Sequence, residues 1–201
     1  MVQHHKTLKG KELKIKEKIT LAALEVFSKY GYDKTTISDI AKQADIADGT
    51  VYLYFHNKND LAVYTYNRAI KIVLIEIDKQ IGKIQNPLAK FYSFYDAAIS
   101  VFQERPDLIT FIVTNMFRLP KVPISDPVFD CFREFMGYIQ QLCQEAIDKG
   151  FLREVDSEIL TYHAHSILDY IARLWVVSGY EADMTSLKNK MLEVLMYGLI
   201  P

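Results

Sequence analysis

The sequence predicts an all-α protein, a small N-terminal helix-turn-helix unit followed by a larger helical domain. Three observations lead there. Apolar residues recur at helical spacing from about residue 11 almost to the end of the chain. Most of these runs begin just after a residue suited to cap a helix. No segment sustains period-two alternation, and no hairpin turn signal separates candidate strands.

Residues 11–30 make the first helix, with Ile15, Ile19, Ala22, Ala23, Val26, Phe27 and Tyr30 in register and Gly31 as its stop. Thr36 is a good N-cap, and Asp39 three residues on completes a capping box with Asp where Glu or Gln is usual. Ile37, Ile40 and Ala41 then share one apolar face. The segment Ala44-Asp45-Ile46-Ala47 breaks the run. A second short helix starts near Asp48, with Val51 and Phe55 as its buried side and Thr50 and Tyr54 opposite. Two helices about a three-to-four-residue turn are a helix-turn-helix, whose second member enters the DNA major groove.

Asn57 caps a long helix over 58–81, ending near Gly82. Asn86-Pro87 opens the next, about 88–103, and Pro106 begins another at about 106–118. Residues 119–126, with Pro120 and Pro123, read as the clearest loop. Asp126 followed by Pro127 starts a helix that runs to Gly150. Asp156 or Ser157 caps a helix to about 177, and Asp183 caps a last one to about 198. The composition shifts near residue 58, so the expected division is a reading unit over 1–57 and a second domain over 58–201.

The chain has 201 residues, enough for one large or two small domains. It is 50% hydrophobic and 24% charged, ordinary values for a globular protein. A net charge of −1 gives no general affinity for polyanions, but the charge is uneven. Residues 1–18 carry six Lys (Lys6, Lys9, Lys11, Lys14, Lys16 and Lys18) against Glu12 and Glu17. This basic arm suits phosphate contact, and it equally suits a solvated, frayed terminus. No signal peptide and no apolar run approaching a membrane span is visible, so the expected location is the cytoplasm. Cys131 and Cys143 lie twelve residues apart on one helix and cannot bridge each other.

Recognition helices present their N-terminal residues to base edges, which makes Asp48, Gly49, Thr50 and Tyr54 the candidates, with Tyr52 behind them. Gly49 permits close backbone approach, and Thr50 offers a hydroxyl and a methyl to a base. Asp48 reads either as a base contact or as a helix cap, and Tyr52 either as a DNA contact or as packing against the first helix. Lys58, in the first turn after the Asn57 cap, could bring its charge and its backbone N–H to one phosphate. Thr36 and Ser38 could hold a second in the same way.

The block resembles the DNA-binding signature of the tetracycline-repressor (TetR) family of bacterial regulators. The resemblance rests on Thr36, Ile40, Ala41, Ala44, Ile46, Gly49, Thr50, Val51, Tyr52, Tyr54, Phe55, Lys58 and Leu61, with a specific Gly-Thr-Val-Tyr-x-Tyr-Phe-x-Asn-Lys core. One departure is Asp45, where the family usually has Gly; Asp tolerates the left-handed conformation better than most residues. The resemblance implies that Thr50, Tyr52, Tyr54 and Lys58 contact phosphates or bases. It also implies a homodimer on a palindromic operator, released by a small-molecule effector. The segment Ala47–Phe55 is similar to that of fatty-acid regulators in the family, but this segment reads DNA and says little about the ligand.

The second half is rich in aromatic residues. Phe91 and Tyr95 on one helix and Phe111 on the next sit on helices apolar over most of their circumference, which must be enclosed by core or by a cavity. Core packing accounts for any single one of them; together they exceed what a small bundle needs. The expected pocket uses Phe91, Phe111 and Met116 as apolar lining, with Tyr92, Tyr95, Asn115, His163 and Tyr170 as polar groups that orient a ligand. Phe132, Met136, Ile139 and Cys143 make a further stripe, and Ile167, Ile171 and Leu174 another, with no obvious need to be buried by one subunit. By the family resemblance, the two corresponding helices pair with their copies in a second subunit.

Enzyme chemistry finds little support. None of the five His follows a Glu by three residues, so the helical di-metal pattern is missing. His163 and His165 point to different faces and would chelate poorly. No P-loop, dinucleotide fingerprint or zinc spacing appears, and no cofactor is expected. The reading is a ligand-responsive repressor acting on double-stranded DNA, its effector apolar or amphipathic. The alternative is a DNA-binding or protein-partner protein on the same fold without a ligand gate.

Overall fold

The computed structural model describes residues 2–115 and 129–200, and over these every regular element is an α-helix. They run in the order α1 (Val2–Tyr30), α2 (Ile37–Gln43), α3 (Asp48–Tyr52), α4 (Lys58–Ile81), α5 (Pro87–Glu104), α6 (Pro106–Asn115), α7 (Asp130–Asp148), α8 (Ser157–Val177) and α9 (Met184–Tyr197). No helix among the described residues is long and apolar enough to cross a membrane.

The boundaries follow from caps. Asn57 accepts from the Asp60 N–H, Asn86 from Ala89 and Asp183 from Ser186, while Asp156 accepts from both Glu158 and Ile159. Each satisfies a donor the first turn leaves unpaired. Gly31, at φ +80°, takes the left-handed conformation that ends α1. That helix starts nine residues earlier than the apolar periodicity suggests. Its first turns are rich in Lys, a good helix former, and contain no proline. The side chains of Lys6, Lys9 and Lys11, the loop 119–126, the Asp126-Pro127 start and Met116 lie outside what is described.

Helices α1, α2 and α3 form the helix-turn-helix head, with α1 packed across α2 and α4. Helix α4 leaves the head and runs against α5, α6 and α7, while α8 packs between α7 and α9. Helix α6 returns to lie on α1. There Phe27 and Phe111 stack with centroids 5.8 Å apart and ring planes 16° from parallel. Both rings are fully buried, so the two halves of the chain share a continuous apolar core. Between α1 and α4, Arg68 makes a forked ion pair with Glu17, its Nη2 lying 2.7 Å from Oε1.

One expectation is corrected here. The stripe on α7 and α8 does not await a partner. Phe132, Ile139, Cys143, Ile167 and Ile171 are buried within a single subunit, and only Met136 and Leu174 are half-exposed. The reason is that α7 packs against α4, α5 and α8 together, so its apolar side is covered from three directions. On the last two helices, the large apolar side chains that face solvent are Ile159, Tyr162, Tyr170 and Val177 of α8 and Val194 and Tyr197 of α9. Spacings of three, eight and seven residues set the α8 members on one stripe.

Candidate functional site: reading head and inner cavity

The reading head is held by local chemistry. The Thr36 side chain accepts from the Asp39 N–H at 3.1 Å, and the Asp39 carboxylate accepts from the Thr36 N–H at 2.8 Å and from its hydroxyl at 2.6 Å. These bonds hold the Asp39 carboxyl below the usual carboxylate range. Helix α2 ends at a turn in which Asp45 takes φ +48°, the left-handed conformation the sequence asked of an Asp in place of Gly. Ile40, Ala41, Val51 and Phe55 close the core beneath.

Above that core, Ser38, Asp48, Gly49 and Tyr52 are exposed, Thr50 and Tyr54 are half-buried, and Thr36 faces solvent with its hydroxyl engaged in the cap. Tyr52 is 55% exposed. Asp48 is the first residue of α3, and the capping position falls to Ala47, which supplies no side-chain bond. Added atoms at Gly49 would meet nothing within 4 Å. Tyr54 lies past the end of α3 and packs on the core of the head.

Lys58 is engaged inside the protein. Its Nζ donates to the Tyr32 carbonyl at 2.9 Å and the Thr35 carbonyl at 3.0 Å, and lies 4.2 Å from the Tyr32 ring centroid. The ammonium thus ties the start of α4 to the loop between α1 and α2. Further exposed residues that the sequence reading did not single out are Leu53, 81% exposed beside Tyr52, and Lys34 and Lys42, which line a groove with Tyr30 and Asp39. The signal for Leu53 was present: an apolar residue on the outward side of a helix whose buried side is already supplied by Val51 and Phe55.

The second region is a partly open hollow of about 50 Å³ lined by residues of α4 to α8. Its apolar wall includes Ile70, Phe102, Ile112 and Leu168, and its polar lining is His165 and Asp169 of α8. The His165 ring lies T-shaped to Phe132 and Phe135, at 5.5 and 6.1 Å between centroids. Burial pulls its imidazole below the ordinary pKa, with Asp169 opposing, so the ring is neutral near pH 7. Asp169 accepts from Arg173 Nε at 2.7 Å, and Arg173 Nη1 donates to the Val113 carbonyl on α6 at 2.7 Å.

The expected ligand residues are scattered. Phe91, Tyr95 and Phe111 are core; the Tyr95 hydroxyl donates to the Ala164 carbonyl at 3.0 Å, and Asn115 donates to the Phe111 carbonyl. Tyr92 lines an open groove against α9. His163 and Tyr170 are exposed on the outer side of α8 and do not line the cavity. The histidine that does is His165, two residues on and about 200° around the helix.

Two family signatures match in succession, that of the bacterial regulatory proteins of the tetR family over residues 19–65 and that of the YsiA-like protein C-terminal region over 66–198. The fatty acid metabolism regulator protein of Bacillus subtilis is 26% identical over 180 residues, covering 89% of this chain and 92% of its own. The crystal structure of FadR from Bacillus subtilis in complex with stearoyl-CoA superposes with a TM-score of 0.79 at 26% identity, covering 90% of this chain and 98% of that one. FadR from Bacillus halodurans shares the fold at the same TM-score, with 23% identity and coverage of 90% and 98%. With its helix-turn-helix head and the helical domain behind it both accounted for, the chain belongs to the tetR family of bacterial regulatory proteins, DNA-binding transcription regulators rather than enzymes.

Proposed function

We propose that this chain is a cytoplasmic, homodimeric repressor that leaves a palindromic operator when a long-chain acyl thioester enters its second domain. The observation that carries the proposal is its likeness, over nine-tenths of the chain, to a regulator whose crystal structure contains stearoyl-CoA. We divide the work at the start of α4, with residues 1–57 reading DNA and 58–201 binding effector and partner. The contacts proposed for DNA are Thr36, Ser38, Asp48, Gly49, Thr50, Tyr52, Tyr54 and Lys58. For the dimer, the outward apolar stripe of α8 and the exposed side chains of α9 are the surface of choice, since water-facing apolar patches of this kind mark association sites. A two-fold axis there suits reading heads about 34–36 Å apart, or a multiple.

A hollow of about 50 Å³ holds roughly three waters, so an acyl chain is buried there only if the helices part. That requirement is the source of the switch. Ile109, Ile112 and Val113 of α6 border the cavity, while Phe111 of the same helix stacks on Phe27 of the reading head. A ligand that displaces α6 therefore moves α1. Ligand shifts the equilibrium only by its differential affinity for the two arrangements; a typical coupling of about 1–3 kcal/mol lowers operator affinity 5–150-fold.

Anisotropy of labelled operator DNA during titration with stearoyl-CoA tests this, with release expected. The small cavity favours a second reading, a DNA binder without a ligand gate. Unchanged operator affinity across acyl chain lengths would select it.

A further inference from the structure

Among the described residues that border the cavity, His165 is the polar, inward-facing and unengaged one. Asp169 is held by Arg173, and Arg173 already spans Asp169 and the Val113 carbonyl. The described residues offer no hydrogen bond to either ring nitrogen of His165, whose contacts are the edges and faces of Phe132 and Phe135. A neutral imidazole presents one N–H donor. Resting on the acyl-thioester reading above, we propose that His165 is the polar recognition group of the effector cavity, donating a hydrogen bond to an uncharged carbonyl carried on an apolar chain.

The surroundings select against a carboxylate. A buried anion needs a cation, and among the described residues the guanidinium beside Asp169, that of Arg173, is committed to Asp169 and to α6. Asp169, one helical turn from His165, repels a second negative charge. Protonating His165 to receive an anion works against its burial between two phenyl rings. An ester, ketone or thioester oxygen asks for one donor and no charge. The specificity is therefore for the thioester over the free acid of the same chain.

Calorimetric titration of the full chain with three probes separates the elements: stearoyl-CoA, the S-octadecyl-CoA thioether that lacks only the carbonyl, and stearate. In the unmutated protein the thioester should bind roughly 10-fold or more tightly than the thioether, the usual consequence of leaving a donor unpartnered once the ligand shuts out water. Stearate should bind more weakly than stearoyl-CoA. His165→Leu should erase the preference for thioester over thioether while keeping thioether affinity and operator binding, and His165→Gln should restore part of it.

Equal binding of thioester and thioether by the unmutated protein overturns the proposal, and does so even if His165→Leu fails to fold. If stearoyl-CoA does not bind at all, the acyl-thioester reading falls. Methyl stearate and octadecan-2-one then decide on His165 alone. Binding abolished by His165→Leu sustains its role, and no binding, or binding indifferent to the substitution, ends it.

Discussion

Lys58 has three N–H donors, and two of them are directed at the Tyr32 and Thr35 carbonyls. The third is directed at neither carbonyl, so the internal role and the proposed phosphate contact are compatible. Lys58→Ala should lower stability by about 1–3 kcal/mol, as expected for hydrogen bonds to a charged group, read by urea denaturation. It should also flatten the salt dependence of DNA binding by roughly one unit of log–log slope. Lost stability with an unchanged slope would leave only the internal role. The phosphate candidate was legible from its place after the Asn57 cap; its two carbonyl partners, 23 and 26 residues back, were not. Cys143 gives a second test at this scale. Burial pushes its thiol up to about 11, so almost no thiolate exists at pH 8. Iodoacetamide should leave it unmodified in the native protein and label it in urea, as mass spectrometry would show.

Whole helices were legible where both ends carry signals. α4 and α8 start and stop at the expected residues because Asn57 and Asp156 cap them and Gly82 and Ser178 follow their last turns. α3 differs: five residues make barely more than one turn, and it holds its shape through Val51 and Phe55 beneath it. Such a helix tolerates substitution on its outer side. Gly49→Ala meets nothing within 4 Å and removes a flexible residue from a helix, so stability should hold or rise by up to about 1 kcal/mol. Operator affinity should nevertheless fall, because the added methyl occupies the surface proposed to approach the bases. A binding titration beside a thermal melt checks both; unchanged affinity would remove Gly49 from the interface.

At the scale of the molecule, two predictions follow from how the halves meet. Phe111→Leu removes one ring of the stack with Phe27, worth about 0.5–1.5 kcal/mol beyond its burial, while keeping the site apolar. The variant should still bind operator, and acyl-CoA should release it less completely than it releases the unmutated protein. Release unchanged would show that the coupling runs through α4 instead. The subunit contact offers a contrast between faces. Tyr170→Glu combined with Val194→Glu, both on exposed residues, should yield a folded monomer in sedimentation. Ile139→Glu, at a fully buried position, should unfold the chain instead.

The sequence by itself determined the helical class, the order of the elements and the reading head. These depend on caps, turns and periodicities that act within a few residues, and Asp45 in its left-handed turn belongs with them. Which side of each long helix meets which neighbour was decided only by tertiary packing. α7 and α8 are apolar over so much of their circumference that periodicity alone allows either side to face inward. The rotation of α8 buries Ile167 and Ile171, turns Tyr170 and His163 to solvent, and brings His165 to the cavity. One hundred degrees per residue is all that separates a cavity-facing side chain from a solvent-facing one, and only the helices packed around α8 set that angle.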